Sequence, residues 1–235
     1  MKRMNLIGRI TGIITNPRET VQDISENSHI EDAVLIIGIF AILSAIFGYM
    51  SQNIIIYEFI GMDQGDPGAS SYSAASGSSV FTIIIGFISV IIGWIIVSGI
   101  VHLFSIALGG EGSFKKVLMI NSYANIPLLL GTVVNLILIS LMSPKNLVFD
   151  FSTVSSPFSI MFDMVEISTR ALMSDPYYQV IYVITIVANL WTIGLVILGI
   201  KFIHDLSINR ALIAVSILIL LFIVGNGPTL YFMFS

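Results

Sequence analysis

The sequence predicts an all-α membrane protein, a bundle of five transmembrane helices with short amphipathic helices at the interface. Three observations carry that reading. Apolar residues make up 56% of the 235 residues, against about 45–50% in soluble domains even with Gly counted. Charged residues are only 10%, and mean hydropathy is +0.97. So few charges could not cover so much apolar surface in water. Finally, five apolar runs approach the roughly 20 helical residues that span a bilayer core.

Residues 1–32 form a cytoplasmic amphipathic segment in this reading, and 33–235 the five-span domain. Lys2, Arg3 and a short apolar stretch superficially suggest a signal peptide, but Gly8, Arg9 and Gly12 interrupt it. No small-residue cleavage site follows. Met4, Ile7, Ile10 and Ile14 recur at helical spacing, which predicts a helix lying along the inner membrane surface. Asn16-Pro17-Arg18-Glu19 reads as a second helix start, with Asn16 capping and Glu19 closing a capping box.

The first span is Ala33–Tyr57, free of charge. The second, Val80–Leu108, carries His102 as its one ionisable group. Val117–Met142 has none, and Val180–Ile200 is the fourth. The fifth starts at Ala211 and runs to about residue 230; Gly225-Asn226-Gly227-Pro228 interrupts its apolar run, so the helix either continues past that point or ends in the membrane. Between spans, Gly61–Ser79 is a Gly- and Ser-rich loop with Asp63, Asp66 and Pro67. Pro157–Met173 predicts a surface helix capped by Ser156, with Met161, Met164, Val165, Ser168 and Leu172 along one face.

Lys and Arg set the orientation. Lys2, Arg3, Arg9, Arg18, Lys115, Lys116, Lys201 and Arg210 fall on one side, and only Lys145 and Arg170 on the other. That places the N-terminus in the cytoplasm of a cell-membrane protein and, with five spans, the C-terminus outside.

Little catalytic chemistry is written in the chain. There is no Cys, hence no disulfide, thiol nucleophile or Cys–zinc site. His29, His102 and His204 lack metalloprotease spacing, and no two acids converge within a span. Gly109-Gly110-Glu111-Gly112-Ser113 lacks the Gly-Lys-Ser/Thr ending of a phosphate loop and joins two membrane helices. The net charge of −4 argues against nucleic acid. No enzyme activity, cofactor or metal is expected.

Polar residues inside spans are costly and seek internal partners. His102, Asn121, Tyr123, Asn125 and Pro127 form a candidate structural cluster, with Ser122 beside them. Pro127 frees a carbonyl one turn earlier, and the Tyr123 hydroxyl is expected near it, with the ring against the second or fourth span. Asn135, Asn189 and Asn226 add amides that read as interhelical glue, about 0.6 kcal/mol each. Ala41/Ala45, Ser44/Gly48 and Ser89/Gly93 mark expected close helix approaches. Lys115, Lys116, Lys201, His204 and Arg210 form a candidate lipid or partner patch if their two loops converge.

The stretch HLFSIALGGEGSFKKVLMINSYANIPLLLG resembles the signature region of the Yip (Ypt/Rab-interacting protein) domain family of integral membrane proteins. There a Gly-rich turn, here Gly109 to Ser113, precedes Phe114 with basic Lys115 and Lys116, then Tyr123-x-x-Ile126-Pro127. Asn16-Pro17 before the first span, and Trp191 followed by LGIKFIHDLSINRALIA, are also similar to family elements. The similarity covers essentially the whole chain. Ser122 stands where the eukaryotic branch usually has Gly, and that branch's Asp-Leu-x-Gly-Pro element is not in this sequence. With 43 Ile against 23 Leu, the chain resembles a short prokaryotic-type member. The resemblance implies a non-enzymatic scaffold or adaptor that organises membrane or partner proteins, as relatives do in membrane traffic. The alternative is a transporter subunit or small-solute permease, which would need a cavity reaching the midplane and lined by His102, Asn125 or Asn135. Membrane lipids, a membrane or cytoplasmic protein, and further copies of the chain are the partners this reading admits.

Overall fold

In lipid every backbone polar group must find its partner within the protein, so the apolar runs become helices. The computed structural model describes residues 4–27, 29–61, 79–150 and 157–234. The loop at 62–78 and the Ser156 cap fall outside them. In chain order the elements are α1 (Leu6–Thr15), α2 (Pro17–Asn27), α3 (Ile30–Gln52), β1 (Ile55–Ile60), α4 (Ser79–Ala107), α5 (Phe114–Ala124), α6 (Ile126–Ser140), β2 (Lys145–Asp150), α7 (Pro157–Met173), α8 (Pro176–His204), α9 (Ile208–Ala214) and α10 (Ser216–Phe234). Four stretches are long and apolar enough to cross a membrane: α3, α4, α5 with α6, and α8. The pair α9 and α10 makes a fifth, bent by 50°. The fold is therefore an all-α membrane bundle.

Three details differ from the sequence reading. The first span ends at Gln52, because Ile55–Ile60 leaves the helix as a strand paired in parallel with Lys145–Asp150. β-branched and aromatic residues dominate Ile55–Ile60 and suit a pleated surface. The third span is broken at Asn125, since Pro127 cannot continue the hydrogen-bond ladder. The fifth bends at Val215 and then stays helical through Gly225–Pro228. That bend seats Ala211, Ala214 and Val215, each fully buried, in the core.

The core has two parts. The larger joins Ile13, Ile24, Val101, Val117, Ile120, Ile200 and Val215 at the end that carries α1 and α2, called here the basic end. A smaller cluster of Ile54, Ile139, Met142 and Ile181 sits near the strands. Close approach between helices falls at the expected Ala45, buried with Ala41, and at glycines that were not expected. A Cβ on Gly199 would stand 2.2 Å from Ile120 Cγ2, and one on Gly86 3.4 Å from the Ala45 Cα. Gly48 and Gly93 face open space.

The N-terminal helices form a hairpin that packs on the basic end, α2 against α8 and α5, α1 against α5 and α6. Asn16 ends α1 by giving its N–H to the Gly12 carbonyl at 2.7 Å. That N–H is then not available to Glu19, so the expected capping box does not form. Ile7 remains 70% exposed, and the buried face is carried by Arg9 and Ile13. The Arg9 Nε donates to Asp23 Oδ2 at 2.7 Å, with both side chains 2% exposed or less. Arg9 Nη1 reaches Asp32 Oδ2 at 3.3 Å, and the Tyr123 hydroxyl donates to the same oxygen at 3.1 Å. Asp23 Oδ1 also accepts from Asn27 Nδ2 at 3.0 Å. One guanidinium thus ties α1 to α2 and α3, and Asp32 carries the tie on to α5. Burial opposes the charge on Arg9, but Asp23 and Tyr123 together offset it and raise its pKa above the ordinary value.

Removing one partner of a buried ion pair strands the other charge, at a cost of about 3–5 kcal/mol. Asp23→Ala should therefore lower thermal stability in detergent far more than Arg18→Ala, whose side chain is exposed. Tyr123→Phe should cost about 1.5–3 kcal/mol, the value of one hydrogen bond to a charged group. Equal melting temperatures for Asp23→Ala and Arg18→Ala would show that the hairpin is not held by this pair.

Candidate functional site

Two short loops meet at the basic end. α4 stops in a Schellman motif: Gly110 N–H bonds the Ser105 carbonyl and Gly109 N–H the Ile106 carbonyl, both at 2.9 Å. Gly109, at φ 87°, supplies the left-handed residue this motif requires. α8 ends in the same manner with Asp205 at φ 51° and Leu206 N–H on the Lys201 carbonyl at 3.1 Å. Ser207 then caps α9 by accepting from Arg210 N–H.

The loops interlock through His204. Its Nδ1 accepts the Gly112 N–H at 3.0 Å, so that nitrogen carries no proton, and its carbonyl accepts the Glu111 N–H at 3.4 Å. Arg210 Nη1 donates across to the Leu108 carbonyl at 3.4 Å. A Cβ at Gly110 would stand 2.7 Å from His204 Cβ, and one at Gly112 2.7 Å from the Ile203 carbonyl. Glycine is needed at both positions for the loops to touch at all. The Gly-rich turn is therefore a contact surface for α8.

Of the basic residues named from the sequence, Lys115, Lys116 and Arg210 are exposed and Lys201 is half-buried. The Lys201 ammonium lies 6.0 Å from the Phe202 ring centroid. His204 does not join this surface. It is 1% exposed, turned inward with its ring 5.3 Å from that of His102. None of the four cations has an ion-pair partner among the described residues, although Glu111 and Asp205 are exposed in the same loops. At the strand end both cations are paired, Lys145 with Asp175 at 3.6 Å and Arg170 with Glu166 at 3.0 Å.

The polar cluster read from the sequence is divided. His102 lies with His204 and Phe114, away from the other members. Tyr123 turns to Asp32 and not to the carbonyls near Pro127. Asn121 Nδ2 bonds Ser98 Oγ at 2.8 Å, joining α5 to α4. Asn125, at the break in the third span, bonds the Asn121 carbonyl with its own amide at 2.7 Å, and Pro127 is buried. Asn135 does act as interhelical glue, to Thr185 at 3.0 Å. Asn189 and Asn226 do not, because their nitrogens return to their own helices.

Midway along the helices lies a cavity of about 350 Å³ to which all five spans contribute. Its polar lining is Ser89, Asn121, Asn125, Asn189, Thr192 and Asn226. Asn125 was named from the sequence as a cavity residue; His102 and Asn135 do not line it. Sequence reasoning missed Thr192 and the ion-paired set Arg9, Asp23 and Asp32. A signal existed for Thr192, three residues after Asn189 and so on the same helix face.

Comparisons with known proteins agree with this architecture. The Yip1 domain family model matches residues 11–226. An uncharacterized protein of Methanocaldococcus jannaschii, MJ0794, is 32% identical over 134 residues, 57% of this chain and 86% of the relative. No solved structure matches the chain.

Gly112→Ala should destabilise the protein by about 1–3 kcal/mol, the usual cost of forcing a methyl into filled space. Gly225→Ala meets nothing within 4 Å and, within a helix, should be neutral or stabilising by about 0.5–1 kcal/mol. Thermal melts of the two variants in one detergent provide the comparison. Equal losses would show that the interlock is not a tight contact.

Proposed function

The chain belongs to the Yip1 domain family, and on that premise we propose that it is a non-enzymatic membrane organiser whose basic end faces the cytoplasm of a cell membrane. That end would hold anionic lipid headgroups against the interlocked loops. One observation carries the reading: Lys115, Lys116, Lys201 and Arg210 gather on a rigid, glycine-closed junction without ion-pair partners among the described residues, while both cations at the opposite end are paired. Each such charge near an anionic surface attracts it by about 1 kcal/mol. Glu111 and Asp205 reduce the net effect and leave the loops with a surplus of cations.

A second reading, a small-solute permease or transporter subunit, is favoured by the mid-span cavity and the presence of Asn125 in its wall. The packed core between that cavity and the basic end weighs against a continuous path.

The absence of native Cys makes orientation directly testable. A single cysteine at Ser174 should react with an impermeant thiol reagent added to intact cells, and one at Ser113 only after permeabilisation. Labelling Ser113 from outside would reverse the topology. For the lipid role, the triple variant Lys115→Gln, Lys116→Gln, Lys201→Gln should lose preference for spin-labelled phosphatidylglycerol over phosphatidylcholine. The expected loss is about fivefold per charge removed. Unchanged selectivity with unchanged topology would rule out the patch.

A further inference from the structure

The mid-span cavity carries polar groups that the fold does not use. Asn125 Nδ2 donates to the Asn121 carbonyl at 2.7 Å, Asn189 Nδ2 to the Thr185 carbonyl at 2.8 Å, and Asn226 Nδ2 to the Phe222 carbonyl at 2.9 Å. A carbonyl can only accept, which fixes the nitrogen of each amide and so its oxygen. Those three side-chain oxygens have no protein donor among the described residues. Thr192 Oγ1 is likewise without a partner, although the residue is only 7% exposed. Leaving a buried hydroxyl unpaired costs about 1–3 kcal/mol. A buried unpaired hydroxyl beside three free amide oxygens in one space is a cost without return unless something binds there.

The lining also restricts what that something is. No lining residue is charged, so an ion would enter without a counter-charge in a medium that penalises it heavily. The occupant is neutral. A hydroxyl both donates and accepts, and so matches the amide oxygens, the remaining amide hydrogens and Thr192 together. Phe40, Trp94 and Phe222 supply the apolar wall, and the Trp94 Nε1 is already committed to the Leu118 carbonyl at 3.2 Å.

The route of entry is set by packing. Val97 and Ile193 line the cavity about 15 Å from the basic-end termini of α4 and α8, roughly half the depth of a bilayer core. One or two turns nearer that end, Val101, Val117, Ile200 and Val215 are 1% exposed or less and belong to one cluster. Nothing passes there from the basic-end loops. On the opposite flank Ser89 of α4 and Leu221 of α10 line the cavity and are also exposed, so it opens sideways between these two helices. A ligand arrives from the bilayer.

We infer that the cavity among α3, α4, α5, α6, α8 and α10 binds an uncharged, hydroxyl-bearing lipid. Its head group sits against Asn125, Asn189, Thr192 and Asn226, and its chain leaves between α4 and α10. This site shares no residue with the basic end and is independent of the headgroup reading above.

Trp94 reports on the cavity, and the chain's other tryptophan, Trp191, is 42% exposed on an outer face. In a Trp191→Phe background in phosphatidylcholine nanodiscs, the probe is monooleoylglycerol brominated in its chain. The control is its di-O-methyl ether, which keeps the chain and the acceptor oxygens and has no donors, at the cost of two added methyl groups. Quenching of Trp94 should saturate with the diol at about tenfold lower mole fraction than with the ether, the value of one or two net hydrogen bonds. Thr192→Val with Asn189→Leu should reduce that difference to less than about threefold. Equal curves for diol and ether, a diol curve that rises linearly without saturating, or a preference that survives both substitutions would each overturn the inference. Thr192→Val alone keeps the test sound if the double variant is unstable. With the ligand removed, it should melt no lower than the parent, because it deletes an unpaired hydroxyl. A lower melting temperature would show that Thr192 serves the fold and would also overturn the assignment.

Discussion

The buried ion pair of Arg9 and Asp23, extended through Asp32 to Tyr123, is the interaction around which the basic end is organised. One guanidinium joins three helices, and Asp32 extends the link to a fourth. A buried charge tolerates no drift of its partner, because the penalty for separation is several kcal/mol. The pair therefore fixes the position of the N-terminal hairpin where apolar contact alone would let it slide. Gly12 reinforces it, since a Cβ there would stand 2.4 Å from the Thr20 hydroxyl. The hairpin then packs against α5 and α8, and the buried Tyr123 continues into the larger core.

The same end shows a second form of constraint, exclusion of side-chain volume. Gly110 and Gly112 allow the α4–α5 turn to lie directly on His204 and Ile203, and Gly199 allows α8 to meet Ile120 of α5. These contacts are close enough that hydrogen bonds from Gly112 and Glu111 reach across. With no hydrophobic drive between helices in lipid, association depends on such packing and on interhelical hydrogen bonds. Asn121 with Ser98, Asn135 with Thr185, and Tyr182 with the Asn226 carbonyl supply the latter.

Polar groups in the bundle thus divide into two populations. Asn121, Asn135 and Tyr182 bond across helices and hold the fold. Asn125, Asn189 and Asn226 around the central cavity bond back to their own helices with their amide nitrogens, and Thr192 there has no partner. A bundle selected only for stability would fill that space with Leu or Ile, as it does one turn away at Val101, Val117 and Val215. The contrast between adjacent layers marks the central one as a place where function departs from packing.

By itself the sequence determined the membrane class, the number of apolar spans and the asymmetry of their charges. These follow from local composition and from the length that a bilayer imposes. It also located the Gly109–Ser113 turn, because Gly acts through its own backbone geometry, and it marked Pro127 as a disturbance of the third span without showing that the helix breaks there. Tertiary structure alone decided the rest. Arg9 read as one topology charge among eight, and Asp23 and Asp32 carried no reading of their own; their meeting depends on a hairpin fold across some twenty residues. Ile55 to Tyr57 read as the end of a membrane helix because a short apolar run fits helix or strand equally, and only β2, about ninety residues on, selects the strand. His204 read as surface charge, whereas the turn from α4 covers it. The amides at 125, 189 and 226 read alike as glue, and which oxygens remain unpaired was set by helix rotation, a property no local pattern encodes.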